Sequence, residues 1–273
     1  SHMDTIYDLI IIGAGPSGLA ASVYATRYKL NHLIFGMETG GQMKEIYSIE
    51  NYPGFPKISG EELIAKFMEH IESLGTRITK ESVVSIKKPS EFFEVETSRK
   101  KYQTKTLILA MGAEYRKMNI PGEKEFIGKG VSYCATCDAP FFRDKTVAVI
   151  GGGNSAAVVA LELAEVAKKV YMVFKNKISA DPVWMEKIET SPKIEKISQT
   201  QVIEIKGKEK VERVVLDNPY NDKTYLEIDG VFIEIGSEPG VQLAQKLGVA
   251  TDDGNYIKVG EDMGTNVSGV FAA

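Results

Sequence analysis

Cysteine and histidine are scarce in this 273-residue sequence: two Cys and three His. His2, with Ser1, reads as the remnant of an expression tag, which leaves His32 and His70. A structural zinc site needs four nitrogen or sulfur ligands close together, and this chain cannot supply them, so no metal is expected. An excess of positive charge is also missing. Lys and Arg number 33 against 37 Asp and Glu, a net charge of -4, which excludes a strongly basic face for nucleic acid or anionic lipid. No apolar run is long enough to cross a bilayer. The first apolar stretch, Leu9 to Ile12, is short and runs straight into glycines, which does not fit a signal peptide. The expectation is a cytoplasmic protein with neither a membrane nor a nucleic-acid partner.

What is present is ordinary globular composition, 43% hydrophobic and 26% charged. The length suits one large domain or two moderate ones. Two segments share one pattern. The apolar stretch Asp4 to Ile12 meets Gly13-Ala14-Gly15-Pro16-Ser17-Gly18, then a helical stretch from Leu19 to Tyr28 and a strand at Leu33 to Phe35. Further on, Thr146 to Ile150 meets Gly151-Gly152-Gly153-Asn154-Ser155-Ala156, then a helix to about Ala167 and a strand at Val170 to Phe174. Each is a strand, a glycine turn, a helix and a strand, the βαβ unit that binds dinucleotides. The fold class is therefore α/β with two Rossmann-like domains. Helical spacing also marks Glu61 to Leu74, and strands are expected at Val83 to Ile86, Phe92 to Thr97 and Thr106 to Ala110. Glycine and proline mark linkers at Gly112 to Gly122 and Gly236 to Gly240. The second domain is thus inserted into the first, with residues 3–115 and 241–273 forming one domain and 116–240 the other.

The glycine turns have a mechanism. Gly13 permits the tight turn, Gly15 lets the backbone approach a pyrophosphate, and Gly18 allows helix and strand to touch. The helix end, beginning at Pro16 and Ser17, offers free N–H groups to phosphate. The usual ribose partner is an acid at the end of the next strand; here the first is Glu38, displaced beyond Phe35-Gly36. The second turn, with Gly151, Gly153, Asn154, Ser155 and Ala156, has the same geometry but no acid after its strand. Lys175 and Lys177 follow instead. A fold that persists without a tightly bound nucleotide is the alternative reading of this turn.

Both cysteines lie in Cys134-Ala135-Thr136-Cys137-Asp138. In a reducing compartment such a pair is redox-active or metal-binding more often than a structural staple. One sulfur serves as nucleophile and the other resolves the mixed disulfide. Asp138 is placed to exchange a proton with the leaving thiolate. Redox chemistry ranks ahead of zinc binding, and zinc ahead of inert burial.

Taken together, these motifs resemble the low-molecular-weight thioredoxin reductases over nearly the whole chain. The resemblance also rests on Gly40-Gly41-Gln42, Glu50-Asn51-Tyr52-Pro53-Gly54 and the closing Gly269-Val270-Phe271-Ala272-Ala273. It implies an FAD domain split around a pyridine-nucleotide domain that carries the cysteines, and a homodimer. It implies FAD contacts by Gln42 and Asn51, with Gly41 and Gly112 among the cofactor-binding positions. The family reaction moves electrons from NADPH through FAD to the disulfide and then to thioredoxin.

Three positions depart from the family pattern. The arginines that hold the 2′-phosphate of NADPH are absent, and Phe174, Lys175, Asn176 and Ala180 stand at the matching places. A Glu-Glu pair is replaced by Val158-Val159. The family continues past Ala273 with a Gly-Asp that holds the flavin, which implies a second FAD segment shortened at its C-terminal end. The lost phosphate clamp resembles the subgroup that uses reduced ferredoxin as donor in place of NADPH. A divergent NADPH or NADH enzyme is the competing expectation. An electron-transfer flavoprotein and a redox sensor without turnover are the readings outside this class, and the retained Cys-x-x-Cys argues against the first of them.

Overall fold

The structure is a computed structural model that describes residues 5–273. Ser1 and His2, and the first residue of the expected strand at Asp4, lie outside the described residues. The chain divides into two compact units, residues up to Glu114 together with Glu238–Ala273, and Tyr115–Ser237.

The first unit begins with β1 (Ile6–Ile12), α1 (Pro16–Arg27) and β2 (His32–Phe35). α1 starts earlier than the apolar pattern indicated because Pro16 fills the first helical turn, where its missing N–H costs nothing. α2 (Gly60–Ser73) is opened by a capping box in which Ser59 and Glu62 satisfy each other's backbone N–H groups. β3 (Val83–Lys87), β4 (Phe93–Thr97) and β5 (Lys101–Leu109) follow. β5 reaches well before the expected Thr106, since its first half alternates exposed Lys101 and Gln103 with buried Tyr102 and Thr104. That is the signature of an antiparallel strand with one wet face. β1 runs parallel to both β2 and β5, with Ile12 opposite Phe35 and Leu109. Side chains alternate across this sheet. Ile10 and Ile12 join Leu107 and Leu109 in one apolar cluster, while Leu9 and Ile11 join Leu19 and Ile34 in another.

After a short strand, β6 (Ala113–Tyr115), the second unit begins with β7 (Val131–Ser132) and α3 (Ala135–Asp138). It continues through β8 (Thr146–Ile150), α4 (Asn154–Val166), β9 (Lys169–Val173), α5 (Pro182–Thr190) and β10 (Ile194–Ile197). β11 (Val202–Gly207), β12 (Val211–Tyr220) and β13 (Lys223–Glu227) form an antiparallel sheet, and β14 (Gly230–Ile233) returns to the parallel one. The parallel order is β10-β9-β8-β14-β7. β8 reads as an unbroken apolar run because both its faces are covered. Val147 and Val149 pack with Ala156, Ala160 and Leu163 of α4, and Ala148 and Ile150 pack with Val214 and Leu226 of the small sheet.

The chain then passes through β15 (Ser237–Pro239) back to the first unit, adding α6 (Gln242–Lys246) and β16 (Val270–Ala272). β16 pairs parallel with the far half of β5, Val270 opposite Leu107, whereas β4 pairs with its near half. The first unit's sheet therefore takes strands from both ends of the chain. Among the described residues no helix is long and apolar enough to cross a membrane.

Candidate functional site

A cleft lies in the first unit. Its volume is about 730 Å³, and Gly13 to Ser17, Glu38, Gly41, Gln42 and Gly112 are among the residues that line it. Gly13 has φ +114, and a Cβ there would lie 1.9 Å from the carbonyl oxygen of Ala110, so only glycine fits. A Cβ on Gly18 would lie 1.9 Å from Gly13 O, which is how α1 comes so close to β1. Gly15 and Gly41 face one another, each with the other's Cα as the nearest atom to an added Cβ, at 4.0 and 3.5 Å. Side chains at these two positions would narrow the cleft. Gly15 caps α1 with no side-chain acceptor, so the first-turn N–H groups are left for a phosphate. Gln42 Nε2 donates to Ala113 O at 2.9 Å and is thereby held at the cleft wall. These residues fit the pyrophosphate and ribose of FAD. Asn51, in contrast, is exposed in the loop of residues 50–56 and is not among the residues lining the cleft.

The cysteines are in the second unit, joined as a disulfide with Cα atoms 5.3 Å apart. The approach to them is tightly fixed. The buried Glu123 carboxylate accepts from the backbone N–H groups of Met118 at 3.0 Å and Asn119 at 2.5 Å, and from Tyr133 Oη at 2.6 Å. Burial first, and then this bond, raise the pKa of Tyr133, so it stays a donor. Ser132 Oγ accepts from Cys134 N at 3.1 Å. Cys134 is the N-cap of α3, and its sulfur accepts from Cys137 N at 3.2 Å. An N–H aimed at a sulfur favours its thiolate. Cys134 is half-buried and Cys137 exposed. Asp138, the last residue of α3, is half-buried beside them.

Comparisons with known proteins agree with this geometry. The family model described as pyridine nucleotide-disulphide oxidoreductase matches residues 7–273. The chain belongs to that family. It is 40% identical to the thioredoxin reductase of Treponema pallidum over 275 residues, which cover 99% of this chain and 89% of the relative. With the Bacillus subtilis thioredoxin reductase the identity is 38%, covering 99% and 86%. A solved Lactococcus lactis thioredoxin reductase, in its FR conformation, superposes with a TM-score of 0.93 at 37% identity, covering 97% of this chain and 89% of that one. As a member of this family the chain is a thioredoxin reductase-like flavoenzyme with FAD as cofactor, and its α/β Rossmann-like architecture stands as expected.

In this oxidoreductase the second glycine turn differs from the first in what lies over it. Glu234, the residue after β14, is 8% exposed, and its carboxylate accepts a short hydrogen bond from Ser155 Oγ. Ser155 is in the first turn of α4, so the Glu234 carboxyl occupies a side-chain group at the start of the helix. Asn154 is also engaged, since its Oδ1 accepts from Asp181 N at 2.7 Å. Lys175, Asn176 and Lys177 are exposed beyond β9, and Val158 and Val159 pack against the unit's apolar cluster.

Two acids here were not legible as functional in the sequence. Glu234 ends an apolar strand, and Glu162 occupies a helical position that reads as solvent-facing. Glu162 is 7% exposed, and burial pushes its pKa up to about 7. Glu165 and Glu234 add to the rise, and a hydrogen bond from Thr136 opposes it. A carboxyl raised from 4.5 to about 7 holds a proton in the folded state that the unfolded state has lost. Its contribution is full below pH 4.5 and disappears as pH rises towards 7, a loss of up to roughly 3 kcal/mol. Glu162→Gln should therefore gain stability relative to the parent as pH rises. Urea denaturation of both proteins at about pH 5 and about pH 8 checks this, and equal pH dependence in the two would refute it.

Proposed function

We propose that this chain is a thioredoxin-disulfide reductase of the cytoplasm, acting as a homodimer, with Cys134, Cys137 and Asp138 as its catalytic residues. The observation that carries the reading is a partly exposed Cys-x-x-Cys disulfide whose first sulfur already receives a backbone N–H. The first unit is the FAD domain, held through Gly13, Gly15, Pro16, Ser17, Gly18, Glu38, Gly41, Gln42 and Gly112. Asn51 belongs to the same proposal, as a contact made from the loop of residues 50–56. FAD, when bound, supplies two-electron redox chemistry. The residues of the second unit do the rest. Cys134 attacks the acceptor disulfide as a thiolate; that S–S bond breaks, one sulfur joins Cys134 in a mixed disulfide, and the other leaves as a thiolate that takes a proton from solvent. Cys137 gives its proton to Asp138, attacks Cys134 and releases the second acceptor sulfur as a thiolate, which Asp138 protonates. Anaerobic mixing of the pre-reduced protein with oxidised thioredoxin, with thiols counted on the separated thioredoxin, tests the reading; no gain of thiols on thioredoxin would reject it.

Phe141 supports a protein as acceptor. It is 71% exposed, four positions after Cys137, and a large apolar ring in water beside a reactive pair marks a docking point. Burying such a ring contributes about 1.5–3 kcal/mol. Phe141→Ala should raise the KM for thioredoxin roughly tenfold or more while reduction of a small aromatic disulfide proceeds at the parent rate. Equal losses with both acceptors would place Phe141 in the fold instead.

The donor is the second part of the proposal. The carboxylate of Glu234 on Ser155 and the exposed Lys175 in place of arginines weaken the nucleotide site formed by Gly151, Gly153, Asn154, Ser155 and Ala156. Reduced ferredoxin, which needs access to a flavin edge and no nucleotide pocket, fits this chain better than NADPH.

A further inference from the structure

Disulfide exchange as described leaves one buried group in the second unit unused. Thr136, one of the two residues between the cysteines, hydrogen-bonds through Oγ1 to Glu162 Oε2 at 3.5 Å. That contact ties the turn carrying the sulfurs to α4. Ser155 and Glu162 are two turns apart on one face of that helix, and Ser155 holds Glu234. Two buried carboxyl groups thus lie along one side of α4, one at its start and one beneath the cysteine turn. The charged groups acting on Glu162 are Glu165 of its own helix and Glu234 at the end of β14; Asp138 is the acid on α3. All are acids, and the contact Glu162 makes across to α3 is the Thr136 hydroxyl.

We infer that Glu162 is a positioning residue of the redox centre, which takes up a proton through its link to Thr136 when the Cys134–Cys137 bond opens. The inference rests on that pair being the redox centre. Two electrons, supplied by the flavoenzyme's own chemistry, break the S–S bond. One proton converts Cys137 to a thiol and Cys134 remains a thiolate, so one negative charge has appeared. A second proton from solvent joins the Glu162 carboxylate and cancels that charge. When the disulfide re-forms, Glu162 returns its proton to solvent. A dry carboxylate and a new thiolate on the turn that it contacts through Thr136 repel, which is why the proton binds to the reduced form. Below neutrality Glu162 already carries its proton in the oxidised protein, so the extra uptake occurs from about pH 7 upward.

The test is the midpoint potential of the disulfide in the FAD-loaded protein, measured against dithiothreitol couples from about pH 5.5 to 9. The slope against pH gives protons taken up per disulfide reduced. Above neutrality the parent should take up as much as one proton more than Glu162→Gln, and Glu162→Asp should restore part of the difference. Thr136→Val, which keeps the acid but cuts the link, should lower the uptake as well, and it decides the matter alone if Glu162→Gln does not fold. Identical slopes for the parent and these variants would overturn the inference. The titration contains no thioredoxin, so a parent protein that fails to turn over thioredoxin would reject the proposed acceptor and leave this measurement standing.

Discussion

Cys134→Ser and Cys137→Ser should each abolish thioredoxin reduction, while flavin absorbance and flavin reduction survive. One sulfur cannot store two electrons as a disulfide, so the loss should be complete to the limit of the assay. The two variants should differ in one respect. The N–H of Cys137 points at the sulfur of Cys134, which is why Cys134 is the proposed attacking thiolate. Pre-reduced Cys137→Ser should therefore trap a mixed disulfide with thioredoxin, visible on a non-reducing gel, and Cys134→Ser should not. Full turnover by either variant would end the dithiol relay. Trapping by Cys134→Ser alone would reverse the roles of the two sulfurs.

NADPH should bind weakly and reduce the flavin slowly. Its 2′-phosphate carries close to two negative charges and is best held by paired guanidinium groups. The strand end offers Lys175, Asn176 and Lys177, all exposed. Each lost charge-assisted hydrogen bond costs about 1.5–3 kcal/mol. Two such losses weaken binding on the order of a hundred- to ten-thousand-fold. The carboxylate of Glu234 on Ser155 works in the same direction at the pyrophosphate. NADH should fare little better, because no acid follows β9 to hold its ribose. Stopped-flow flavin reduction by NADPH, NADH and reduced ferredoxin at matched concentrations separates the donors. Fast, saturable reduction at micromolar NADPH would overturn the expectation, and Lys175→Ala should then raise the NADPH requirement markedly.

Much of this molecule was legible before its fold was known. The two glycine turns were readable because close backbone approach and positive φ leave no other residue type, as Gly13 and Ala110 illustrate. The Cys-x-x-Cys was readable because its chemistry depends on spacing within a few residues. The near half of β5 was not, because charged residues alternate along its wet face and mask the apolar run. β11, β12 and β13 escaped for a similar reason: each buries few side chains beneath the parallel sheet, Val202 and Ile205 on β11, Val211, Val214 and Leu216 on β12, and Leu226 on β13. Glu162 and Glu234 escaped for another. Their environments are set by elements distant in the chain, so no local pattern distinguishes them from surface acids.

The strand order of the first unit also fixes when that unit can be finished. β16 lies against β5, yet the ribosome makes the whole of Tyr115–Ser237 between them. The nascent chain therefore carries a sheet with β5 half-covered while the inserted unit, whose strands and helices are contiguous in sequence, is already complete enough to fold by itself. The cleft of the first unit shares this timing, since Gly240, Tyr256 and Ala272 in its wall are made after the insert. The disulfide-bearing part of the enzyme is thus available for folding before the part proposed to hold its cofactor.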